Sequence, residues 1–445
     1  MNSLSISIES ACRNRNRLLA LLPNNVIVLK GNSRIVRSMD VHYPFRQDAH
    51  FLYLTGVEEP DCFLILTQNT EILFIPKVTQ HHLVWMGHAD TPASAQKKYR
   101  FQRVCNTEQL ASEFKKITRS ASICLAQESL HAQLKKMNPR LHFHHKELKD
   151  ALHTLRSAKT TQELQLMRHV SDISSAAHKL AMLKTRPGMF EYQVQSFLEK
   201  ELLFDGIKNT AYPSIVASGV NSAILHYHAN DHQMRNGELL LIDAGGEHHG
   251  YAADITRTFP VNGRFSEKQK DIYEIVLEAQ QQCIAKIRPG MHLDELQKTA
   301  IDILMQGLLD LKILKGSSDA IREKKTYTLF YPHGVSHMLG LDVHDVYLSE
   351  KTKNPDGSNL RARVQLKTNY VITVEPGLYF IRALLEDREK QKKHREFVNW
   401  SKAFSYLDFG GVRIEDDVVV TETGSLNLTK IPKTVRDIET LMSHE

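Results

Sequence analysis

The sequence predicts an α/β (α+β) chain of two domains. Short strand-like apolar runs alternate with helical segments in the first third, and one helix-pair pattern occurs twice in the remainder. The length of 445 residues, 42% of them hydrophobic, is that of two or three domains of ordinary size. We therefore predict a mixed α/β domain over residues 1–156 and an internally duplicated domain over residues 157–445.

The amino-terminal domain is predicted from four short apolar runs rich in β-branched and aromatic residues. They cover residues 26–29, 51–54, 63–67 and 72–75. The polar residues between the last two runs are typical of a hairpin turn. Residues 108–116 are polar with helical spacing. These features predict four strands and intervening helices around a mixed sheet.

The carboxyl-terminal domain is predicted from a repeat. A capping-box signature at Thr160 opens a segment with apolar residues every three or four positions, and a similar signature at Ser266 opens another. Each segment ends at the tetrapeptide Arg-Pro-Gly-Met, at residues 186–189 and 288–291, and a second helical pattern follows each time. A shared tetrapeptide between matched helix pairs predicts internal duplication.

The composition excludes several classes of protein. The chain has 57 basic and 51 acidic residues, so its net charge of +6 does not support a nucleic-acid binder that relies on charge alone. No run approaches the ~18 apolar residues of a membrane span. The five cysteines are scattered without paired spacing, which argues against a disulfide framework or a zinc knuckle. We predict a cytoplasmic protein that binds neither nucleic acid nor membrane.

Carboxylates close two apolar runs of the carboxyl-terminal domain, and a third lies beyond a turn. Asp243 ends one strand-like run, Asp254 follows beyond a Gly-Gly turn, and Glu375 ends another run before Pro-Gly. Burying a carboxylate is unfavourable unless it is paired or bound to a metal. Taken singly, each aspartate is also compatible with a surface or capping position. Arg413 and Glu415 share one face of a predicted strand, and a salt bridge between them is the simpler interpretation of that pair.

Histidines cluster in a fourth place. His333, His337 and His344 fall within twelve residues, among glycines and apolar residues, and His226 is a weaker candidate. A lone histidine is usually structural, but this grouping indicates a site. Two Asp, two Glu and one His form an oxygen-rich set that suits hard divalent cations such as Mn²⁺. Four crowded carboxylates would repel one another unless two ions ~3.5–4 Å apart neutralised them.

Asp243, Asp254, His337, Glu375 and Glu415, in that order and context, resemble the metal ligands of the pita-bread metallopeptidases (M24), which include methionine aminopeptidase, prolidase and aminopeptidase P. Residues 333–345 resemble the signature of the proline-specific members. Residues 43–56 resemble the extra domain of aminopeptidase P, and the bacterial-type enzyme is the most similar. The resemblance implies a pseudo-twofold pita-bread catalytic domain. The departures are the charged insert 383–397, predicted to be a solvated surface segment without chemistry, and residues 367–369.

The resemblance also implies a function. It is a metal-dependent exopeptidase that releases the first residue of peptides with proline second, through attack of a hydroxide shared by two ions, with Mn²⁺ preferred. Glu375 would take the proton, His344 would stabilise the oxyanion, His333 and His226 would line the proline pocket, and Arg413 would orient reacting groups. Trp85 and Tyr379 are expected to contact substrate. Family members are often oligomers in which a neighbour's tryptophan closes the pocket, which implies a homodimer or homotetramer.

Three alternatives remain at this point. A prolidase, which cleaves Xaa-Pro dipeptides, shares the amino-terminal domain and all five ligands. A non-catalytic pita-bread protein that binds peptides or nucleic acid is disfavoured because such relatives usually lose ligands. Metal-free creatinase-like chemistry is disfavoured for the same reason.

Overall fold

The computed structural model describes residues 7–119, 121, 123–346 and 364–443. The chain divides into two compact units, Met1–Arg156 and Ser157–Glu445. Within the described residues, no helix has both the length and the apolar character needed to cross a bilayer.

The amino-terminal unit is a mixed α/β domain. Its elements in chain order are α1 (Ile8–Leu21), β1 (Val26–Lys30), β2 (Val36–Ser38), β3 (Val41–His42), α2 (Ala49–Thr55), β4 (Phe63–Thr67), β5 (Thr70–Ile75), α3 (Gln80–Met86), α4 (Pro92–Tyr99), β6 (Arg103–Asn106), α5 (Leu110–Ile117), β7 (Ile123–Ala126), α6 (His131–Met137), β8 (His142–His144) and α7 (Lys146–Ser157). Six strands form one sheet in the order β6-β5-β4-β1-β7-β8. β4 and β5 are an antiparallel hairpin, as the sequence predicts, whereas β5 and β6 are parallel.

The prediction of a strand over residues 51–54 is wrong, because they lie in α2. The carboxylate of Asp48 accepts a hydrogen bond from the backbone N–H of Phe51 at 2.8 Å and caps the helix start. Gly56, with φ 66°, ends the helix in the left-handed conformation. Residues 51–54 are all buried, so the helix is apolar on every side and has no amphipathic period to distinguish it from a buried strand.

The carboxyl-terminal unit contains two helix pairs, each followed by strands. Its elements are α8 (Thr161–Lys184), α9 (Glu191–Phe204), β9 (Asn209–Thr210), β10 (Ile215–Ser218), β11 (Leu239–Asp243), β12 (Gly246–His248), β13 (Tyr251–Ala252), β14 (Thr256–Pro260), α10 (Glu267–Lys286), α11 (Leu293–Asp310), α12 (Ser318–Glu323), β15 (Val371–Val374), β16 (Gly377–Tyr379), α13 (Arg382–Leu385), α14 (Arg388–His394), α15 (Trp400–Phe404), β17 (Gly411–Arg413), β18 (Asp416–Val420), β19 (Ser425–Asn427) and α16 (Val435–Met442). Both predicted capping boxes are present, at the starts of α8 and α10.

The two Arg-Pro-Gly-Met turns have matching geometry. Gly188 and Gly290 adopt φ 90° and 86°, which glycine tolerates without strain. The backbone N–H of Gly188 donates to the carbonyl of Met234 at 2.8 Å, and that of Gly290 donates to the carbonyl of Leu366 at 2.8 Å. Each turn therefore docks on the segment that follows its own helix pair, as expected of a duplicated unit.

The strands of the two halves meet beneath the helices. β11 pairs with β10 and β14 in one antiparallel sheet, and β18 pairs with β15 and β19 in another. A bridge between Thr256 and Glu415 connects β14 to the start of β18. Buried residues from both halves form one hydrophobic core. The ends of β11, β14, β15 and β17 are consequently brought towards one place.

The charged insert is only partly the solvated surface segment that the sequence predicts. Lys392 and Arg395 are exposed on or beside α14, as expected. Leu385 and His394, however, are buried. The backbone N–H of Lys315 donates to the carbonyl of Phe397 at 2.9 Å, which fixes the insert to the segment after α11. The insert is therefore a packed part of the carboxyl-terminal unit.

Candidate metal centre

One cavity of 270 Å³ in the carboxyl-terminal unit brings together nine of the residues singled out in the sequence. They are Asp243, Asp254, His337, Glu375 and Glu415, with His226, His333, His344 and Arg413. Trp85 and Tyr379 are not among its lining residues. These nine side chains come from separated stretches of both halves of the duplicated unit, so only the tertiary fold assembles them.

Two aspartates enter the cavity from the first half. Asp243 is the last residue of β11 and lies opposite Thr256 of β14 in the antiparallel register. Asp254 precedes β14, and its backbone N–H donates to both oxygens of the Asp417 carboxylate, at 3.2 and 3.3 Å. The pairing of β11 with β14 therefore sets the position of one carboxylate, and Asp417 holds the backbone of the other.

Glu415 enters from the second half through the bridge between the halves. Its backbone N–H donates to the carbonyl of Thr256 at 3.0 Å, and the Thr256 hydroxyl donates to the Glu415 carboxylate at 2.7 Å. Asp254, His337 and Glu415 each offer a ligand atom within 4.8 Å of the other two. That spacing is compatible with a shared metal ion.

His337 is oriented by its own backbone neighbour. Its Nδ1 lies 3.0 Å from the carbonyl of Met338, which can only accept, so Nδ1 carries a proton. Nε2 then faces the carboxylates of Asp254 at 3.3 Å and Glu375 at 3.5 Å. Metal-binding histidines commonly use one ring nitrogen for such a backbone bond and the other for the ion.

The cavity holds more carboxylates than its own cations balance. Burial, followed by the nearby carboxylates, raises the pKa of Glu415 well above its ordinary value. Burial raises the pKa of Glu375 to about 7 and also raises that of Asp243, although Arg413 opposes this. Burial would raise the pKa of Asp254 too, but the hydrogen bond from His337 lowers it overall. A divalent cation would supply the missing positive charge.

The donor set fits such a cation. Four carboxylates and one imidazole suit a hard or borderline divalent ion, and the set contains no thiolate. Burial, and then the neighbouring carboxylates, raise the pKa of Glu415. A bound dication would offset the repulsion among these carboxylates.

Arg413 binds Asp243 rather than forming the predicted pair with Glu415. One guanidinium nitrogen donates to the Asp243 carboxylate at 2.6 Å. The other carboxylate oxygen accepts from the hydroxyl of Tyr212 at 2.7 Å. Both side chains nevertheless reach Thr256, whose hydroxyl accepts from Nε of Arg413 at 3.1 Å and donates to the Glu415 carboxylate at 2.7 Å. Tyr212 was not predicted from the sequence, because its partner Asp243 lies 31 residues away in the chain.

Tyr379 is completely buried and does not line the cavity, and its expected contact with substrate stays a prediction. Its hydroxyl accepts from Arg413 at 3.0 Å and lies 2.8 Å from Nε2 of His333. Nδ1 of His333 lies 2.8 Å from the carbonyl of Gly334 and therefore carries the ring proton. Tyr379 thus donates to His333 and links it to Arg413 from behind the cavity wall.

The remaining predicted residues differ in setting. The His344 ring meets the His337 ring edge-on, with centroids 4.5 Å apart. His226 stacks on His228 with centroids 6.5 Å apart. Trp85 lies on α3 of the amino-terminal unit and is 72% exposed.

Comparison with known proteins identifies relatives along nearly the whole chain. Residues 165–422 match the model of metallopeptidase family M24, and residues 11–125 match the amino-terminal domain of aminopeptidase P. A probable Xaa-Pro aminopeptidase of Botryotinia fuckeliana is 35% identical over 94% of this chain and 92% of its own length. One of Podospora anserina is 36% identical over 95% of this chain and 94% of its own length.

Solved structures agree. Escherichia coli aminopeptidase P with the inhibitor Pro-Leu superposes with a TM-score of 0.87 at 32% identity, covering 98% of each chain. A zinc-substituted form of that enzyme with product superposes with the same TM-score, 0.87. These matches confirm the family and fold predicted from the sequence. The chain belongs to metallopeptidase family M24 and is a hydrolase.

Proposed function

We propose that this M24 metallopeptidase is a metal-dependent Xaa-Pro aminopeptidase, which removes the first residue of peptides whose second residue is proline. The observation that carries the proposal is the single cavity lined by Asp243, Asp254, His337, Glu375 and Glu415 together with the accessory histidines. Relatives named for this activity that match over more than nine tenths of the chain support it.

The five ligands would hold two divalent ions, and we propose Mn²⁺ for both. The oxygen-rich donor set favours it over zinc in a structural role. When bound, the ions supply a nucleophile from water near neutral pH and polarise the scissile carbonyl. A peptide bond before proline has no N–H, so a site that relied on a backbone donor there would fail, whereas recognition through the carbonyl does not need it.

Glu375 is proposed to move the proton. In the metal-free cavity, burial raises the pKa of its carboxyl to about 7. With the proposed ions bound, the carboxylate would be ionised and could accept a proton from the attacking water. Its Oε1 lies 3.5 Å from His337 Nε2 and its Oε2 lies 3.6 Å from His333 Nδ1. Glu375 therefore contacts both His337, a proposed ligand, and His333, which would line the proline pocket. There it would take a proton from water and deliver it to the leaving prolyl nitrogen.

The accessory residues are proposed to shape the substrate pocket. His344, whose ring abuts His337, would donate to the developing oxyanion. His333, held through Tyr379, and His226 would line the pocket for proline. Arg413 would hold Asp243 in its ligating orientation.

Assembly and location follow as further proposals. Trp85 and its exposed neighbours Leu83, Val84 and Met86 on α3 offer an apolar face for a second copy of the chain, consistent with a homodimer or homotetramer. All five cysteines are free thiols, which suits the reducing cytoplasm.

Peptide length distinguishes this proposal from a prolidase. The purified protein, loaded separately with Mn²⁺, Co²⁺ or Zn²⁺, would be assayed on Gly-Pro and on Gly-Pro-Ala. An aminopeptidase releases glycine from the tripeptide, with Mn²⁺ expected to give the highest rate. Cleavage of the dipeptide alone would identify a prolidase, and cleavage of neither would overturn the assignment.

A further inference from the structure

A second cavity adjoins the metal cavity in the same unit. Its volume is 550 Å³, and it shares Pro332 and His333 with the metal cavity. His333 is the residue that we place beside the substrate proline. A peptide whose first two residues occupy the metal cavity therefore has this space available for the residues after proline.

The wall of this second cavity comes from the charged insert. Glu389, Lys390, Lys393 and His394, all of α14, line it, as do residues of the segment that ends at His333. The ammonium group of Lys390 forms an ion pair with the carboxylate of Asp387 at 3.1 Å, which partly balances its charge. Among the residues that the structure describes, Lys393 has no carboxylate within ion-pair distance. The insert thus gives the cavity an ammonium group that lacks an internal counter-ion.

Three lysines act on the electrostatic environment of His394. Nδ1 of His394 lies 3.0 Å from the hydroxyl of Thr326. Burial, and then the charges of Lys393, Lys324 and Lys390, lower the pKa of His394. The imidazole is therefore neutral near pH 7, and the lysines rather than His394 carry the positive charge on this wall.

We propose that the second cavity is a subsite for a carboxylate carried by the peptide beyond proline, bound by Lys393 with help from Lys390. The inference rests on the proposed aminopeptidase function and names its preferred substrates: short peptides whose free carboxyl terminus, or an acidic side chain at the third position, reaches α14. Glu389 also lines the cavity and adds one negative charge to this wall, so the proposed carboxylate contact is made through Lys393 and Lys390.

The test compares peptides that differ only in that carboxylate. The Mn²⁺-loaded enzyme would be assayed on Gly-Pro-Ala against Gly-Pro-Ala-amide, and on Gly-Pro-Glu-amide against Gly-Pro-Gln-amide. The variants are Lys393→Gln and Lys390→Gln/Lys393→Gln. Lys392→Gln is the matched control, because Lys392 is exposed on the same helix and does not line the cavity.

We expect the Lys393 variants to raise KM for the carboxylate-bearing peptide by about three- to fivefold, as for a partly exposed ion pair, with kcat unchanged and the amides unaffected. An effect on the first pair of peptides alone identifies the terminal carboxylate, and an effect on the second pair identifies an acidic side chain. Equal KM values within both pairs for the parent enzyme, or an equal effect of Lys392→Gln, would overturn the subsite. If the parent enzyme cleaves none of the four peptides, the proposed function fails first, and this inference fails with it.

Discussion

Two neighbouring carboxylates, Glu415 and Asp416, face opposite regions of the molecule. Glu415 faces the metal cavity, and burial among other carboxylates raises its pKa well above the ordinary value. Asp416 is itself fully buried and faces a polar cluster behind the cavity. Burial would raise the pKa of Asp416 too, but Arg257 and then Lys433 lower it overall. Adjacent acids of similar burial thus have opposite electrostatic environments.

The cluster around Asp416 is neutralised by the chain itself. Its carboxylate accepts hydrogen bonds from Arg257 at 2.6 Å, Lys433 at 2.6 Å, Gln280 at 2.8 Å and Asn427 at 2.6 Å. In the metal cavity, by contrast, Arg413 donates to Asp243, and Glu415 forms no ion pair with a cationic side chain among the residues that the structure describes. A buried acid that the protein neutralises serves stability, and a group of buried acids that it leaves unbalanced indicates an external cation.

The largest effect is expected at Glu415. Glu415→Gln keeps the shape of the side chain and its bond from Thr256 but removes a charged ligand. We expect metal content to fall and Xaa-Pro hydrolysis to drop by about 10⁴-fold, on the order of 5.5 kcal/mol. Metal analysis and kinetics would measure both. The exposed Glu422→Gln is the matched control, and full activity in Glu415→Gln at unchanged metal content would contradict the assignment.

A smaller effect, on stability rather than chemistry, is expected at Asp416. Asp416→Asn leaves Arg257, which is completely buried, without its counter-charge. We expect the free energy of unfolding to fall by about 3–5 kcal/mol, since one partner of a buried ion pair is removed. Denaturant unfolding would measure this, with Asp408→Asn at a 94% exposed side chain as control. Stability equal to that of the control would show that the cluster is not structural.

The smallest effect is expected from pH in the metal-free protein. The carboxyl of Glu375 has a pKa of about 4.3 in the unfolded chain, whereas burial raises it to about 7 in the folded metal-free protein. The folded state therefore binds more protons between these values, and its stability falls as pH rises through about 7, by about 1–3 kcal/mol. Glu415 and Asp243, also with raised pKa values, act in the same direction, and Asp254 acts against them.

Thermal unfolding with and without chelator, between pH 5 and pH 8, would measure this dependence. The metal-loaded protein should not show it, because the ions keep these carboxylates ionised. If the stability of the metal-free protein rose between pH 5 and pH 8, the cavity would not hold an excess of buried negative charge.

Residues with a local pattern were predictable from the sequence. Asp243 and Glu375 end apolar strands, and the duplicated turns at Gly188 and Gly290 repeat the same four letters. These patterns are sufficient because strand ends and capping boxes depend on neighbours in the sequence.

Features that depend on distant contacts were not predictable. Tyr379 lies behind the cavity wall instead of within it, since its partners are His333 and Arg413. The insert around His394 packs against the unit although its composition resembles that of a solvated surface. In each case a tertiary partner decides the outcome.

The bridge between Thr256 and Glu415 has a consequence for how the protein is made. Asp243 and Asp254 leave the ribosome long before Glu415, so the emerging first half offers carboxylates without the imidazole of His337 or the strand that completes the cavity. The complete metal site can therefore form only after the second half has been synthesised and Thr256 has paired with Glu415.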